Sequence, residues 1–415
     1  MNERRVVVTG TGIVSCVGNN TNDFWHSVVN GRCGLGTVTH FDPARYRTQI
    51  AGQVKNFSIT SYMPEKEARR LDPFCHFAVA AADEAISNAG ISKNLENLSP
   101  ERVGVVVSSG IGGIKTFEDQ CHLLHERGPE RISPLLIPML IIDMASGAIS
   151  MRYGAKGPNF GVVSACATAC HSIGESYWIV KRDDADVMIC GGAESPIVPI
   201  GFAGFCSMKA MSQRNNDPLH ASRPFDRDRD GFVMSEGAGV LVLEELEHAK
   251  RRGANILAEI VGYGATADAY HITSPSPGGT GAALAINNAL QKAGMNPEDI
   301  DYFNAHGTST ELNDKFETQA IKKVFGDYAG KLSISSTKSV TGHGLGAAGG
   351  FETIACILAM RDGIVPPTIN LENPDPECDL NYTPNTAQEK KMSTAINVNL
   401  GFGGHNAVVI LKKFE

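Results

Sequence analysis

The sequence has little of what membrane, nucleic-acid-binding and disulfide-rich proteins require. No apolar run is long enough to span a membrane, and the net charge of −8 argues against general nucleic-acid binding. The ten cysteines have no regular spacing, which argues against a disulfide framework or a zinc site. The first strand begins at about Arg5, which leaves no room for a signal peptide. We therefore expect an intracellular, cytoplasmic protein without membrane insertion, nucleic acid or bound metal, and an acidic partner would need a local basic patch.

Small and apolar residues are abundant. Hydrophobic residues make up 42% of the 415 residues, which is ample for a large core and suggests two or three units of ordinary domain size. The 44 glycines suit tight turns and close packing between elements. Apolar strands alternate with helical periodicity along the chain, so the sequence predicts an α/β protein.

Two alanine-rich helices resemble each other in sequence and in their place along the chain. One is predicted over 74–89 and closed by Gly90, and the other over 282–293 and closed by Gly294. After each helix comes an apolar strand that ends in a loop of small residues. This similarity indicates an internal repeat.

A second pair of segments supports that repeat. Residues 159–180 and 331–358 both read as a strand, a turn of small residues and a buried helix. We infer two topologically similar halves, residues 1–253 and 254–415. In such folds sites lie at the carboxyl ends of strands, so the loops at those ends are expected on a common side.

The stretch around Cys166 is the first candidate site. Residues 160–164 predict a buried strand that runs directly into a helix, and Cys166 falls at the joint. Unpaired backbone N–H groups and the helix dipole at such a position favour a thiolate, which is the form that attacks. The alternative is a small apolar core residue, since free cysteine is commonly buried.

Three further stretches stand at predicted strand ends. They are Asn304-Ala-His-Gly-Thr-Ser-Thr with His306, Ser336-Thr-Lys-Ser-Val-Thr-Gly-His with Lys338 and His343, and Asn399-Leu-Gly-Phe-Gly-Gly-His with Phe402. A single histidine is more often structural. Two histidines in glycine-rich turns, one of them five residues after a lysine, together with Cys166, indicate a catalytic group.

Two other motifs are weaker. Gly10-Thr-Gly-Ile-Val-Ser15 resembles a dinucleotide-binding loop, but its third glycine is replaced and no acidic strand end comes after it. Residues 226–231 resemble the start of a calcium loop, but Gly237 stands where the bidentate acid should be. We expect a solvated, ion-paired loop there.

These motifs in combination resemble the β-ketoacyl-[acyl-carrier-protein] synthases of the thiolase superfamily, and among them most closely the synthase II class. The resemblance extends from Val6-Val-Val-Thr-Gly to Gly401-Phe-Gly-Gly and includes Arg223-Pro-Phe-Asp and Asp230-Gly-Phe. It implies a duplicated thiolase-like fold in five layers, αβαβα. It also implies an acyltransferase of fatty acid elongation that condenses a carrier-bound acyl chain with malonyl-acyl carrier protein, releasing CO2 and 3-oxoacyl-acyl carrier protein. A homodimer is expected from the family.

The resemblance also implies roles for individual residues. Cys166 would attack the acyl thioester, and the N–H groups of Cys166 and Phe402 would hold the oxyanion, with Phe402 as a gate. His306 and His343 would donate to the enolate oxygen, while Lys338 would bias the electrostatics and hold His343. No cofactor is implied, because the carrier protein brings its own phosphopantetheine.

Further residues match family positions that contact the substrate or the carrier. The expected sites are the pantetheine arm (Thr308, Thr310), the acyl pocket (Ile111), docking of the acidic carrier (Lys66, Arg69, Arg70, Lys209) and a structural acid (Glu317). The sequence departs from the family pattern at His405, Gly344 and Cys170. We expect these departures to affect pocket shape or loop mobility, not the catalytic groups.

Rival interpretations differ at single residues. A thiolase would have a second reactive cysteine near the C-terminus, and a primer synthase would have asparagine at His343. A non-catalytic chain-length subunit would lack Cys166. A polyketide ketosynthase would have the same chemistry and stays open, although the absence of fused carrier or acyltransferase segments favours a fatty-acid enzyme. The interpretation as a nicotinamide-dependent oxidoreductase would rest on the Gly10 loop alone.

Overall fold

The protein was analysed as a computed structural model, which describes residues 4–414. The strands are β1 (Val6–Val14), β2 (Gly36–Thr37), β3 (Ile50–Ala51), β4 (Val103–Ser108), β5 (Val187–Glu194), β6 (Gly237–Glu245), β7 (Ala258–Ala267), β8 (Tyr302–Asn304), β9 (Ser333–Ser335), β10 (Ile364–Val365), β11 (Gln388–Glu389), β12 (Thr394–Gly401) and β13 (His405–Lys412). The α-helices are α1 (Thr21–Val29), α2 (Glu65–Ala68), α3 (Pro73–Asn88), α4 (Ile114–Arg127), α5 (Leu136–Leu140), α6 (Met144–Tyr153), α7 (Thr168–Lys181), α8 (Pro199–Ser207), α9 (Leu246–Arg251), α10 (Thr280–Ala293), α11 (Glu311–Phe325), α12 (Lys338–Thr341) and α13 (Ala348–Asp362).

The main sheet is nearly symmetric about the boundary between β1 and β7, with four strands on one side and five on the other. Its nine strands run in the order β4-β5-β6-β1-β7-β13-β12-β8-β9. The antiparallel pair β1–β7 joins the two halves through Val6–Val8, and antiparallel β6 and β13 flank that pair on either side. Parallel pairs lie further out, β4 with β5 and β8 with β12. The second half therefore repeats the order of the four strands of the first, as the internal repeat predicts, and it has one further edge strand, β9, beside β8.

Helices cover the sheet in layers because strand side chains alternate between its two faces. Along β4, Val103, Val105 and Val107 face a cluster built on α3, whereas Val106 faces the opposite cluster. That opposite cluster contains α7 and α13 together with residues from both halves of the sheet. A third cluster is built on α10 and α11. The two halves of the one sheet thus pack on the central helices α7 and α13, with α3 outside one half and α10 and α11 outside the other, which is the αβαβα arrangement.

The strand predicted over 160–164 is not present. Only Asn159 pairs with Val105, as an isolated bridge. The backbone N–H groups beyond it bond to side chains, that of Val162 to Ser108 Oγ at 2.9 Å and that of Ser164 to Thr168 Oγ1 at 3.0 Å. The segment is therefore extended but has no ladder partner within residues 4–414.

The two weaker motifs have structural explanations. Gly10 and Gly12 lie inside β1, where a Cβ at either position would come within about 2 Å of a carbonyl oxygen of α3. These glycines permit close helix–sheet packing, and they do not form a nucleotide loop. The loop 226–231 was expected to be solvated. This expectation is wrong for Asp226 and Arg229, which form buried ion pairs with Arg223 and Asp375. Both side chains bond to backbone of the second half. Arg229 donates to the carbonyls of Thr310 and Glu311, and Asp226 accepts from the N–H groups of Glu372 and Asn373.

Candidate active site

Cys166 lies at the junction between the extended segment and α7. It belongs to a 3₁₀ turn, Ala165–Ala167, and α7 begins two residues later than the predicted helix start. Ala165 has a φ of +50°, which turns the chain sharply before the cysteine. The thiol is buried, with 7% of the residue exposed, and the nearby backbone N–H of Phe402 acts to lower its pKa.

The resting thiol is protonated, contrary to the thiolate that the sequence predicts. Burial raises the pKa of Cys166 to about 12, and the charge of Lys338 opposes this rise. The carboxylates of Glu194 and Glu352 raise the pKa further. Burial therefore outweighs the contributions of Lys338 and the Phe402 N–H, which lower the pKa.

The two histidines face each other beside the cysteine. His306 lies after β8, and His343 lies after α12. Their ring centroids are 5.3 Å apart, and the rings are nearly perpendicular, at 88°. Burial lowers the pKa of both rings well below the ordinary value, and the charge of Lys338 lowers both further. Both imidazoles are therefore neutral near pH 7, so each has one N–H donor.

Lys338 sets the tautomer of one histidine. Its ammonium lies 3.4 Å from His306 Nδ1, and an ammonium can only donate. His306 Nδ1 therefore accepts, and the ring proton lies on Nε2. The expectation that Lys338 holds His343 is wrong in this respect, because its hydrogen bond goes to His306. His343 is fixed instead by its backbone N–H, which donates to the Val233 carbonyl at 2.7 Å, and by the ring of Phe232.

Glu352 forms a buried ion pair with Lys338. The side chains of Lys338 and Glu352 are 1% and 2% exposed, and the second oxygen of Glu352 accepts from Asn399 Nδ2 at 2.6 Å. Sequence reasoning did not identify Glu352 or the role of Asn399. A signal was available, because Glu352 is an acid within the apolar run of α13, and a buried acid needs a partner.

Glu317 holds the loop that carries the first histidine. Its carboxylate accepts from the backbone N–H groups of His306 at 2.7 Å and Gly307 at 2.8 Å. Burial raises the pKa of Glu317 to about 7, although these two donors lower it. This geometry agrees with the structural role expected for Glu317.

One cavity of about 350 Å³ brings most of the predicted residues together. Its walls include the predicted nucleophile and gate, both imidazoles, the two threonines, and one predicted docking residue (Cys166, Phe402, His306, His343, Thr308, Thr310, Lys209). The hydroxyls of Thr308 and Thr310 are 2.9 Å apart. Ile111 packs against the apolar cluster that contains Cys166, Phe202 and Ile197, on the side where the acyl pocket is expected.

Comparisons with known proteins agree with this geometry. The amino-terminal domain model of β-ketoacyl synthases matches residues 3–249, and the carboxyl-terminal domain model matches residues 257–372. The chain belongs to the β-ketoacyl synthase family. The 3-oxoacyl-[acyl-carrier-protein] synthase 2 of Synechocystis sp. is 50% identical over 415 residues, which cover 100% of this chain and 99% of the relative. The enzyme of the same name from Staphylococcus aureus is 51% identical over 412 residues, 99% of both chains.

Solved structures confirm the thiolase-like fold class. A ketosynthase in complex with its type II polyketide acyl carrier protein has a TM-score of 0.92 and 33% identity, with 100% of both chains covered. A β-ketoacyl synthase from Burkholderia phymatum has a TM-score of 0.91 and 32% identity, covering 99% of this chain and 100% of the other.

The basic residues predicted to dock the carrier lie in two separate places on the synthase. Lys66, Arg69 and Arg70, named here the α2 basic cluster, are exposed on and just after α2, and Arg69 pairs with Glu65 at 2.5 Å. Within the described part of the chain, they do not line the cavity, whereas Lys209 does. Arg45 and Arg47 share a surface concavity with Lys209 and were missed by sequence reasoning, because they are remote from it along the chain.

The three departures from the family pattern leave the catalytic groups intact. Cys170 is fully buried, which raises the pKa of its thiol, and it is not among the described residues that line the cavity of Cys166. Gly344 packs beside Phe351, where an added Cβ would lie 2.6 Å from the ring. A larger residue therefore does not fit without movement of that ring. The ring of His405 lies against Gly403, next to the gate.

Residues 4–414 lack two features that define other classes of protein. None of the helices there combines the length and hydrophobicity that crossing a membrane requires. No group of three or more His, Cys, Asp and Glu side chains in the described residues could hold a metal ion.

Proposed function

We propose that the chain is a 3-oxoacyl-[acyl-carrier-protein] synthase of the second type, an acyltransferase of fatty acid elongation. The observation that carries this function is the single cavity that contains Cys166, two neutral imidazoles and the N–H of Phe402. Curated relatives of that name are about half identical over the whole chain. The reaction joins an acyl chain held on Cys166 to malonyl-acyl carrier protein and releases CO2.

In the first half-reaction the acyl group moves from the pantetheine sulfur to Cys166. One thioester bond breaks and another forms, so the thiol proton of Cys166 must leave and the pantetheine sulfur must gain one. Because the thiol is protonated at rest, this proton leaves as the attack occurs, and a neutral imidazole of the cavity can accept it. The N–H groups of Cys166 and Phe402 stabilise the oxyanion, and the contact between Phe402 N–H and the sulfur supports this assignment.

In the second half-reaction malonyl-acyl carrier protein loses CO2, and the electron pair of the broken bond forms an enolate. Negative charge collects on the thioester oxygen. His306 donates from Nε2, since Lys338 occupies its other nitrogen, and His343 is the second donor. The enolate carbon then attacks the acyl carbonyl, and the Cys166 sulfur leaves. The buried cation of Lys338 favours the anionic intermediate.

The carrier and its pantetheine arm bind at the mouth of the same cavity. Thr308 and Thr310 hydrogen-bond the pantetheine arm, which arrives with the carrier, so the enzyme has no cofactor of its own. Lys209 at the cavity and the α2 basic cluster dock the acidic carrier. One structurally similar ketosynthase was solved with its acyl carrier protein, which supports a partner of this kind.

We also propose a homodimer in which the interface between the two copies includes the extended segment 160–163. Phe160 and Val163 are 41% and 49% exposed, and this segment has an unpaired edge among the described residues. Ile137 on α5 and Met151 on α6 are also exposed apolar side chains. Two further assignments stay predictions, namely the division into halves at residues 253 and 254 and the cytoplasmic location.

The test is elongation with purified components. Acyl carrier proteins of graded chain length are mixed with malonyl-acyl carrier protein and the enzyme, and the products are read by intact mass. We expect 3-oxoacyl-carrier protein and one CO2 for each condensation. Absence of this product with correctly folded protein would reject the function.

A polyketide ketosynthase remains the second candidate, because a structurally similar ketosynthase is bound to a hexaketide. The same assay separates the two candidates when no reductase or dehydratase is added. A fatty-acid enzyme stops at the 3-oxo product, whereas a polyketide enzyme extends that product again.

A further inference from the structure

Glu194 is a buried acid that the proposed chemistry does not use. It ends β5, and its carboxylate is fully buried. It accepts four hydrogen bonds, from Ser109 Oγ (2.6 Å), Gly110 N (2.8 Å), Ile111 N (3.2 Å) and Gly346 N (2.9 Å). All these partners can donate, and three are backbone N–H groups that can only donate. The site is therefore built for a carboxylate and would suit neither a protonated acid nor an amide.

The four donors belong to two different halves of the molecule. Ser109 to Ile111 form the loop after β4 that contributes to the expected acyl pocket, whereas Gly346 lies in the 3₁₀ turn before α13. That turn is the counterpart of the cysteine turn in the first half, since each leads directly into a central helix. Glu194 therefore ties one wall of the pocket to the second half.

The backbones at this junction are in contact. A Cβ added to Gly110 would lie 3.2 Å from the Ala165 carbonyl oxygen, and one added to Gly346 would lie 2.4 Å from Gly110 N. Residue 165 directly precedes the nucleophile. The position of the 109–111 loop relative to Cys166 therefore depends on a small patch of backbone that the Glu194 carboxylate holds together.

We propose that Glu194 is a positioning residue that fixes Ile111 relative to Cys166 and so determines which acyl chains are loaded. This inference rests on the proposed function, because it assigns a specificity role within the loading step. It also explains an apparent disadvantage. The charge of Glu194 raises the pKa of Cys166 and so opposes ionisation of the thiol. An anchoring role explains why an acid stands at this position despite that effect.

The experiment compares Glu194→Gln with Glu236→Gln. Glu236 is also a buried acid of the first half, and burial raises the pKa of its carboxyl to about 7. Its carboxylate accepts from the Val54 N–H and the Ser195 hydroxyl instead. It therefore controls for loss of a buried carboxylate that does not touch the 109–111 loop. Three quantities are measured: acyl loading on Cys166 for graded chain lengths, the rate of Cys166 alkylation by iodoacetamide against pH, and the thermal midpoint.

We expect two changes specific to Glu194→Gln. The ratio of loading rates between the preferred and the poorly accepted chain lengths falls by about tenfold, because a loosened wall discriminates less between methylene groups. Alkylation of Cys166 at a fixed pH becomes about tenfold faster, which corresponds to a pKa lower by about one unit. Glu236→Gln keeps both wild-type values, whatever its thermal midpoint.

Several results would overturn the inference. Unchanged loading ratios in Glu194→Gln would do so, as would equal changes in Glu236→Gln. If Glu194→Gln does not fold, Ser109→Ala removes one donor to Glu194 without a change of charge, and with it the acceptor of the Ile111 and Gly112 N–H groups. That variant should reduce the loading ratio and keep the wild-type alkylation profile, and an unchanged ratio would reject the proposal. Failure of the wild-type enzyme to load any acyl chain would instead reject the proposed function.

Discussion

Replacement of Lys338 by methionine tests the electrostatic core of the site. The lysine has two roles in the structure, as donor to His306 Nδ1 and as partner of the Glu352 carboxylate. Methionine has a similar length but cannot donate and has no charge. Without the donor, the His306 proton is free to occupy Nδ1, and Nε2 then presents a lone pair to the enolate oxygen.

The expected loss can be estimated from the missing donor. Removal of one preorganised donor to an oxyanion costs about 10²–10³-fold in rate, or ~2.7–4 kcal/mol. Stability is affected separately. Lys338 and Glu352 are 1% and 2% exposed, and removal of one partner from a buried pair destabilises a protein by about 3–5 kcal/mol. A rate measured on Lys338→Met alone would therefore combine two effects.

A second variant separates these effects. Lys338→Met combined with Glu352→Gln removes both charges, so we expect much of the stability to return while the rate stays low. The assay is decarboxylation of malonyl-acyl carrier protein in a Cys166→Ala background, monitored by carrier mass, with thermal unfolding of the same samples. ¹⁵N chemical shifts of His306 report the tautomer. If the double variant regained decarboxylation together with stability, the tautomer argument would be refuted.

Four other predictions concern the nucleophile, the imidazoles and the carrier. Cys166→Ala should abolish condensation but keep malonyl decarboxylation, because the imidazole donors remain. Normal condensation by this variant would refute the assignment of Cys166 as the nucleophile. Since burial raises the pKa of Cys166 to about 12, alkylation of Cys166 should rise about tenfold per pH unit from pH 7 to 10, and a plateau near neutral pH would contradict this. His306→Ala and His343→Ala should each slow decarboxylation more than acyl loading, and a loss confined to loading would mean that their roles are misassigned. Charge reversal of the α2 basic cluster should raise KM for carrier-bound substrates but not for small thioesters, and an equal effect on both would remove the docking role.

Local sequence pattern determined much of the architecture. The alternation of apolar strands and helices predicted the α/β class, and the two alanine-rich helices appear as α3 and α10. The symmetric strand order agrees with the internal repeat. These features depend on periodicity and on capping over a few turns, which the sequence shows directly. The strand predicted over 160–164 is absent, because the N–H groups of Val162 and Ser164 bond to the side chains of Ser108 and Thr168 and not to a neighbouring strand.

The residues proposed to carry the chemistry were also predicted from the sequence. Cys166, His306, Lys338, His343 and Phe402 stand in short motifs, and the structure brings all five together. What the sequence could not determine is the state of these groups. That Cys166 is a thiol and the imidazoles are neutral results from burial and from the distance to Lys338, neither of which is visible along the chain.

The tertiary structure alone decided which buried charges face each other. Lys338 pairs with Glu352 and donates to His306, whereas the sequence suggested His343 as its partner. Glu194 reaches Gly346 in the other half, 152 positions away. The physical reason is that secondary structure arises from contacts a few residues apart. Desolvation and Coulomb energies depend instead on distances between groups that the chain brings together only when it folds.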